Sequence, residues 1–199
     1  MPLNTIIASN CVGAYLYKYT HTIYPNPFMW NLCSMHDMIT LITQLPYINF
    51  HNIDWPTNPF DIPVISIDKK CSIVYPHIKF DISARTPYKH NGDIFTTLPA
   101  KYAAEKYLCR LRRWADSKAN PLFVIAEDKK WRPEAITIQE IDSWLPELES
   151  ALYDTYIFTF TRKIEYLPTN KHIKLIYVGK KLRPHELATY ILSNHILSV

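Results

Sequence analysis

The sequence predicts an α/β fold, with one mixed sheet flanked by helices in a single domain that spans residues 1–199. Three observations support this prediction. Short apolar runs rich in β-branched residues alternate with amphipathic segments of helical spacing. The run from Pro121 to Ala126 is continuously apolar, as in strands that a parallel sheet buries on both faces. The chain of 199 residues, 48% of them hydrophobic, is also long enough to form one substantial core.

The first predicted unit is a strand followed directly by a helix, between Thr5 and Tyr17. Its first half is apolar and β-branched, and its second half carries apolar residues at helical spacing. Ser9 and Asn10 are favoured helix N-cap residues. Cys11 is therefore expected in the first turn of the helix.

A helix and a hairpin are predicted next. The helix covers Ser34 to Leu45, because Ser34 is a good N-cap residue and an acid follows it in the first turn. A short strand is expected near Tyr47 to Phe50. Two further strands, Val64 to Asp68 and Cys71 to Phe80, are joined by a charged turn and predict a hairpin with His77 in or next to its second strand.

The centre of the chain is predicted as a loop followed by a helix. The segment from Arg85 to Pro99, which contains His90, has the composition of a polar loop. Ala100 to Ala115 has the clearest helical periodicity in the chain, and its basic residues near the carboxyl end complement the helix dipole. The buried strand from Pro121 to Ala126 follows.

The last third of the chain continues the alternation of helices and strands. A capping-box start predicts a helix from Thr137 to Glu149, in which Pro146 is expected to cause a kink or a break. Strands are predicted from Tyr156 to Thr161 and from Ile173 to Val178. A closing helix from Pro184 to Leu197 has proline in its first turn.

Composition and charge exclude several classes of function. Lys and Arg number 22 against 18 Asp and Glu, and the net charge of +4 is too small to indicate nucleic-acid binding. Only 3 glycines occur, none in a phosphate-binding motif, so no nucleotide cofactor is expected. No HxxxH or HExxH motif occurs, so no metal is expected.

Cysteine usage and hydropathy bear on the compartment. The 4 cysteines form no CxxC pair, which argues against a zinc knuckle or a disulfide framework and predicts reduced thiols. No apolar run approaches the length of a membrane span, and the amino terminus lacks a basic region followed by a long apolar one. A cytoplasmic protein without a membrane span is therefore expected, and its oligomeric state is left open.

The expected position of Cys11 is one that activates a thiol. Unpaired backbone N–H groups and the positive end of the helix dipole lower the pKa of a thiol in the first turn of a helix. Asn10 is then a candidate hydrogen-bond donor to a developing oxyanion, or it only caps the helix. The alternative for Cys11 is a small buried side chain that fills a gap under the helix.

A catalytic thiol also needs a general base and a group that orients that base. Of the 8 histidines, His77 and His90 are favoured because they lie in or just after a strand and precede the basic helix. Asp81 and Asp128 are the candidate orienting acids, the second because functional groups often follow strand ends in α/β sheets. The alternative is that Glu127 to Lys130 forms a solvated charged turn.

A cluster of arginines follows Cys109 in the predicted basic helix. Arg110, Arg112 and Arg113 could bind phosphate or carboxylate groups of a substrate, or they form a solvated helix face. Arg110 and Arg113 are candidate substrate-binding residues, together with Trp30, which closes an aromatic, proline-spaced loop.

Several motifs resemble, in the same order, those of the bacterial papain-like cysteine peptidase family and of a related exopolysaccharide-biosynthesis-associated family. The likeness covers roughly residues 4–128. The motifs are Asn10-Cys-Val-Gly-Ala14, Asn26-Pro-Phe-Met-Trp30, Val74-Tyr-Pro-His77, and Tyr107-Leu-Cys-Arg-Leu-Arg-Arg113 with Leu122-Phe-Val-Ile125.

The resemblance implies a papain-like thiol hydrolase arrangement, with Cys11 as nucleophile and His77 as base. Met29 and Ile78 stand where the families carry acids, so His90 stays an alternative base. The leading hypothesis is a cysteine-dependent hydrolase or acyltransferase acting on an acyl, peptide or glycan substrate. The alternatives are a non-catalytic binding protein and a transferase acting on a glycan or phosphorylated substrate in a polysaccharide-assembly pathway.

Overall fold

In this computed structural model of the protein, the structure describes residues 5–20, 33–54, 64–74, 87–90, 93–96, 109, 114, 121–128 and 135–197. Within them, nine strands and four α-helices have described bounds. The strands are β1 (Thr5–Ala8), β2 (Ile53–Asp54), β3 (Val64–Ile67), β4 (Cys71–Val74), β5 (Pro87–His90), β6 (Asp93–Thr96), β7 (Pro121–Ala126), β8 (Thr155–Thr159) and β9 (Ile173–Tyr177). The helices are α1 (Val12–Tyr19), α2 (Met35–Gln44), α3 (Ile138–Leu148) and α4 (Pro184–Ser193).

The strands form one parallel sheet and two antiparallel ones. The parallel sheet has the order β1-β7-β8-β9, and all three of its strand pairs are parallel. The antiparallel sheets are β2-β3-β4 and the pair β5-β6. The predicted α/β fold is confirmed, but the expected single mixed sheet is not, because the described parallel and antiparallel strands lie in separate sheets.

Helices cover both faces of the parallel sheet, because both faces of its inner strands are apolar. Alternate strand residues belong to two separate clusters of buried side chains. One cluster joins Ile7, Phe123, Ile125 and Ile157 to α2 and α3. The other joins Ile6, Val124, Tyr156 and Phe158 to α1 and α4. A continuous apolar run such as Pro121–Ala126 fits only a strand that is buried on both sides.

The predicted capping box opens α3. Thr137 Oγ1 accepts a hydrogen bond from the Glu140 N–H at 3.2 Å, and Glu140 Oε2 accepts one from the Thr137 N–H at 2.7 Å. Pro146 lies inside the helix, which continues to Leu148, so the proline does not divide it.

Replacing Thr137 by alanine is expected to lower the free energy of unfolding by about 1 kcal/mol, because the Glu140 amide then loses its acceptor. Urea unfolding followed by circular dichroism measures the change. Ser143→Ala is the matched control, since Ser143 lies later in the same helix and its hydroxyl donates to the Glu140 carbonyl. Equal losses in the two variants would contradict the capping role.

Two sequence interpretations in the middle of the chain are wrong. A 3-10 turn at Leu45–Tyr47 stands where a strand was expected near Tyr47 to Phe50, and the strand of this region is β2. The segment from Arg85 to Pro99 is not a plain polar loop, because Pro87–His90 and Asp93–Thr96 pair as an antiparallel hairpin.

Other predicted elements are present. The hairpin of β3 and β4 turns at Asp68 and Lys69, both with positive φ. Ser34 caps α2 by accepting from the Asp37 N–H at 3.1 Å. Cys109 and Trp114, the described residues of the helix predicted at 100–115, are helical.

In the described part of the chain, no helix has the length and apolar character required to cross a membrane.

Candidate functional site

The candidate site lies at the carboxyl edge of the parallel sheet, where the chain leaves β1. Cys11 is the N-cap residue of α1, with φ −63° and ψ −1°. The helix therefore begins just after the cysteine, which was expected inside the first turn. Cys11 is 7% exposed and belongs to the buried apolar cluster that contains α1 and α4, as the alternative of a small buried side chain expects. The thiol thus lies at the positive end of a helix and is largely covered.

Asn10 fixes the turn that leads into α1. Its side-chain oxygen accepts a hydrogen bond from the Val12 N–H at 3.0 Å, which satisfies one of the first amides of the helix. This contact corresponds to the capping role, which is one of the two roles considered for Asn10. Its role as a donor to an oxyanion stays a prediction.

Ser9 holds the start of the site against the neighbouring strand. Its N–H donates to the Val124 carbonyl at 2.9 Å, and its hydroxyl accepts from the Ala126 N–H at 3.1 Å. In a regular parallel ladder the Ser9 carbonyl would take the second bond. That carbonyl instead accepts from the Cys33 N–H at 2.9 Å. Ser9 thereby links β1 to β7 and to the residues that precede α2.

Glu127 has a structural role that sequence reasoning missed. The interpretation of Glu127 to Lys130 as a solvated charged turn is wrong for this residue, which is 8% exposed. Its Oε2 accepts hydrogen bonds from the N–H groups of Phe160 and Thr161 at 2.6 and 2.9 Å, and its Oε1 accepts one from the Thr161 hydroxyl. The carboxylate therefore joins the carboxyl ends of β7 and β8.

Asp128 follows at the same edge of the sheet. It is half-buried, and its N–H donates to the Ile136 carbonyl at 2.9 Å. This places Asp128 at the carboxyl end of β7, where the sequence predicts an orienting acid. Its contact with a histidine stays a prediction.

Most of the other candidate residues lie outside the part of the chain that the structure describes. Trp30, His77, Asp81, Arg110 and Arg113 lie outside the described residues. His90 ends strand β5, where only its backbone is described, and pairs with Asp93.

A further histidine lies close to α1. His185 is at the start of α4, and its ring centroid is 5.7 Å from that of Tyr15, one turn after Cys11. The buried Nδ1 atom of His185 has no hydrogen-bond partner among the described residues. His185 was not singled out from the sequence because nothing local marks the packing of α4 on α1.

Neither a metal-binding cluster nor a similar protein indicates which reaction this edge of the sheet supports. Within the residues that the structure describes, no three His, Cys, Asp or Glu side chains are grouped to bind a metal ion. No protein-family model and no curated protein matches the chain.

Proposed function

We propose that the protein is a cysteine-dependent hydrolase or acyltransferase of papain-like type, in which Cys11 is the nucleophile. The observation that carries the proposal is the position of Cys11 at the N-cap of α1 and at the carboxyl edge of a parallel sheet. Helix amino termini favour a thiolate, and the carboxyl edge of such sheets is the usual place for reacting groups. All four cysteines, each within the described residues, are thiols, which suits a cytoplasmic enzyme.

In the proposed reaction the Cys11 thiolate attacks a carbonyl carbon of an acyl, peptide or glycan ester substrate. The tetrahedral oxyanion then expels its leaving group, which takes a proton from the imidazolium of the base. Water or another acceptor releases the acyl group from sulfur. His77 is the base that the resemblance implies, His90 is the alternative, and Asp128 is the candidate orienting acid. His185 joins them because its ring lies beside Tyr15.

The test is the rate at which iodoacetamide alkylates each cysteine, measured by mass spectrometry of digested protein. At about pH 6.5 we expect Cys11 to react at least about tenfold faster than an ordinary exposed thiol, because more of it is thiolate. Cys109 is the exposed control. Cys71 is the buried control, since burial raises the pKa of its thiol to about 12. Slower alkylation of Cys11 than of Cys109 at this pH would overturn the proposal and favour a non-catalytic binding protein.

The base is identified by the same measurement on single variants. We compare three variants: His77→Gln, His90→Gln and His185→Gln. If Cys11 loses its reactivity near pH 6.5 in one of them, the histidine replaced in that variant is the base. His51→Gln is the control, because His51 is exposed next to β2. Unchanged reactivity in all three variants would exclude an imidazole as the activating group.

A further inference from the structure

The outer edge of β9 has no strand partner among the described residues. β9 pairs with β8 on one side, and within the described part of the chain no strand pairs with its other side. The Val178 N–H donates to the Thr159 carbonyl. Backbone groups alternate in direction along a strand, so the N–H and C=O groups of Leu175 and Tyr177 point outward. Such a row of donors and acceptors is a template for another extended segment.

A cavity of about 200 Å³ adjoins this edge. Its walls come from the ends of β8 and β9 and from the loop that joins them, and they include Ile164, Leu167, Leu175 and Tyr177. Among the described lining residues, Lys163 is the single charged one. Pockets for drug-sized ligands are about 300–1,000 Å³. This cavity is smaller and suits one apolar side chain.

Glu149 holds the far part of that loop in place. Its carboxylate accepts hydrogen bonds from the Tyr166 hydroxyl at 2.6 Å, the Thr169 N–H and hydroxyl at 3.0 and 2.8 Å, and the Asn170 N–H at 2.8 Å. The bonds from Tyr166 and Thr169 are the main reason that the pKa of Glu149 falls to about 2. The wall that Tyr166 contributes to the cavity is therefore braced by several hydrogen bonds.

Lysines lie beyond both ends of β9, with Glu149 and Asp154 near the first end and Glu186 near the second. Exposed Lys171 precedes the strand, and exposed Lys180 and Lys181 follow it. Between residues 160 and 183 the only acidic residue is Glu165. The basic residues of this segment are Arg162, Lys163, Lys171, Lys174, Lys180, Lys181 and Arg183. A segment that lies along β9 therefore meets lysines at both of its ends.

We propose that an extended acidic peptide segment binds along the outer edge of β9 as an additional strand. Its backbone pairs with the outward groups of Leu175 and Tyr177, one apolar side chain enters the cavity, and flanking carboxylates face Lys171, Lys180 and Lys181. In this mode of recognition the main chain supplies affinity, and pockets for alternate side chains supply specificity. The proposal does not depend on the chemistry of Cys11.

Charge makes a peptide a better occupant of this edge than a second copy of the chain. Antiparallel pairing of two β9 strands would bring Lys171 of one copy toward Lys180 and Lys181 of the other. Like charges placed opposite each other oppose pairing. An acidic segment instead gains from the same lysines.

The test is fluorescence anisotropy of the full chain with a labelled, acetylated peptide of sequence Asp-Glu-Val-Leu-Val-Glu-Asp. We expect saturable binding that weakens at least about tenfold when alternate peptide amides are N-methylated, because strand pairing is then blocked while the side chains remain. A peptide with lysine in place of each acid should bind at least about tenfold more weakly. Equal binding of the N-methylated or the lysine peptide would overturn the proposal.

Variants of the protein locate the binding surface. The double variant Lys180→Glu with Lys181→Glu should weaken binding of the acidic peptide about tenfold or more. Lys18→Glu with Lys69→Glu is the matched control, because it makes the same charge change at two exposed lysines on α1 and on the β3–β4 turn. Equal losses in both double variants would contradict binding at β9. A dimer that the peptide dissociates, or a single-stranded oligonucleotide that displaces the peptide, would also overturn the proposal.

Discussion

Replacing Phe158 by alanine is expected to lower the free energy of unfolding by about 3–5 kcal/mol. Phe158 is 0% exposed in β8, a strand with a parallel neighbour on each side, and it packs in the cluster that joins the sheet to α1 and α4. The variant loses apolar contacts and leaves a cavity that the flanking strands cannot close. Urea unfolding followed by circular dichroism measures the difference.

Leu167→Ala is the control for Phe158→Ala. Leu167 is 86% exposed, so its truncation should change the free energy of unfolding by less than about 0.5 kcal/mol. If Phe158→Ala lowers the free energy of unfolding by less than about 1 kcal/mol, Phe158 is not tightly packed between the sheet and the helices α1 and α4.

Replacing Glu127 by alanine is expected to destabilise the protein by about 2–4 kcal/mol, because it leaves polar groups near the end of β8 without an acceptor. The Phe160 and Thr161 N–H groups and the Thr161 hydroxyl all donate to this carboxylate. Phe160 is itself buried, so water does not readily replace the lost acceptor. The same unfolding experiment measures the change.

Glu127→Gln separates loss of hydrogen bonds from loss of volume. The glutamine oxygen can still accept from the two backbone amides, and its NH₂ group can donate to the Thr161 hydroxyl, so we expect a loss of only about 1 kcal/mol. Glu165→Ala, at an exposed glutamate, should have little effect. Equal losses of unfolding free energy for the alanine and glutamine variants of Glu127 would mean that its lost hydrogen bonds do not account for the destabilisation.

Elements with a strong local signal were predicted correctly from the sequence. The capping box at Thr137, the proline at the start of α4 and the apolar run of β7 are each recognisable from a few adjacent residues. The hairpin of β5 and β6 was missed although Asn91-Gly92, a typical two-residue turn sequence, stands between the partners His90 and Asp93. The polar composition of residues 85–99 led to the prediction of a loop despite this turn sequence.

The candidate site was predicted in part. The position of Cys11 follows from local sequence, because an apolar strand, capping residues and a helical pattern succeed one another there. The contact of Glu127 with Thr161 spans 34 residues, and that of His185 with Tyr15 joins opposite ends of the chain. No local pattern contains either contact.

The sequence by itself determined the alternation of strands and helices and the location of a cysteine at the first strand-to-helix junction. Those features depend on periodicity and capping, which act over a few residues. Only the tertiary structure decided that Glu127 is a buried link between β7 and β8 and that His185 lies near α1. It also decided that β9 has an edge without a partner among the described strands, beside a cavity. Burial and strand order depend on which distant segments pack together, and composition does not encode that directly.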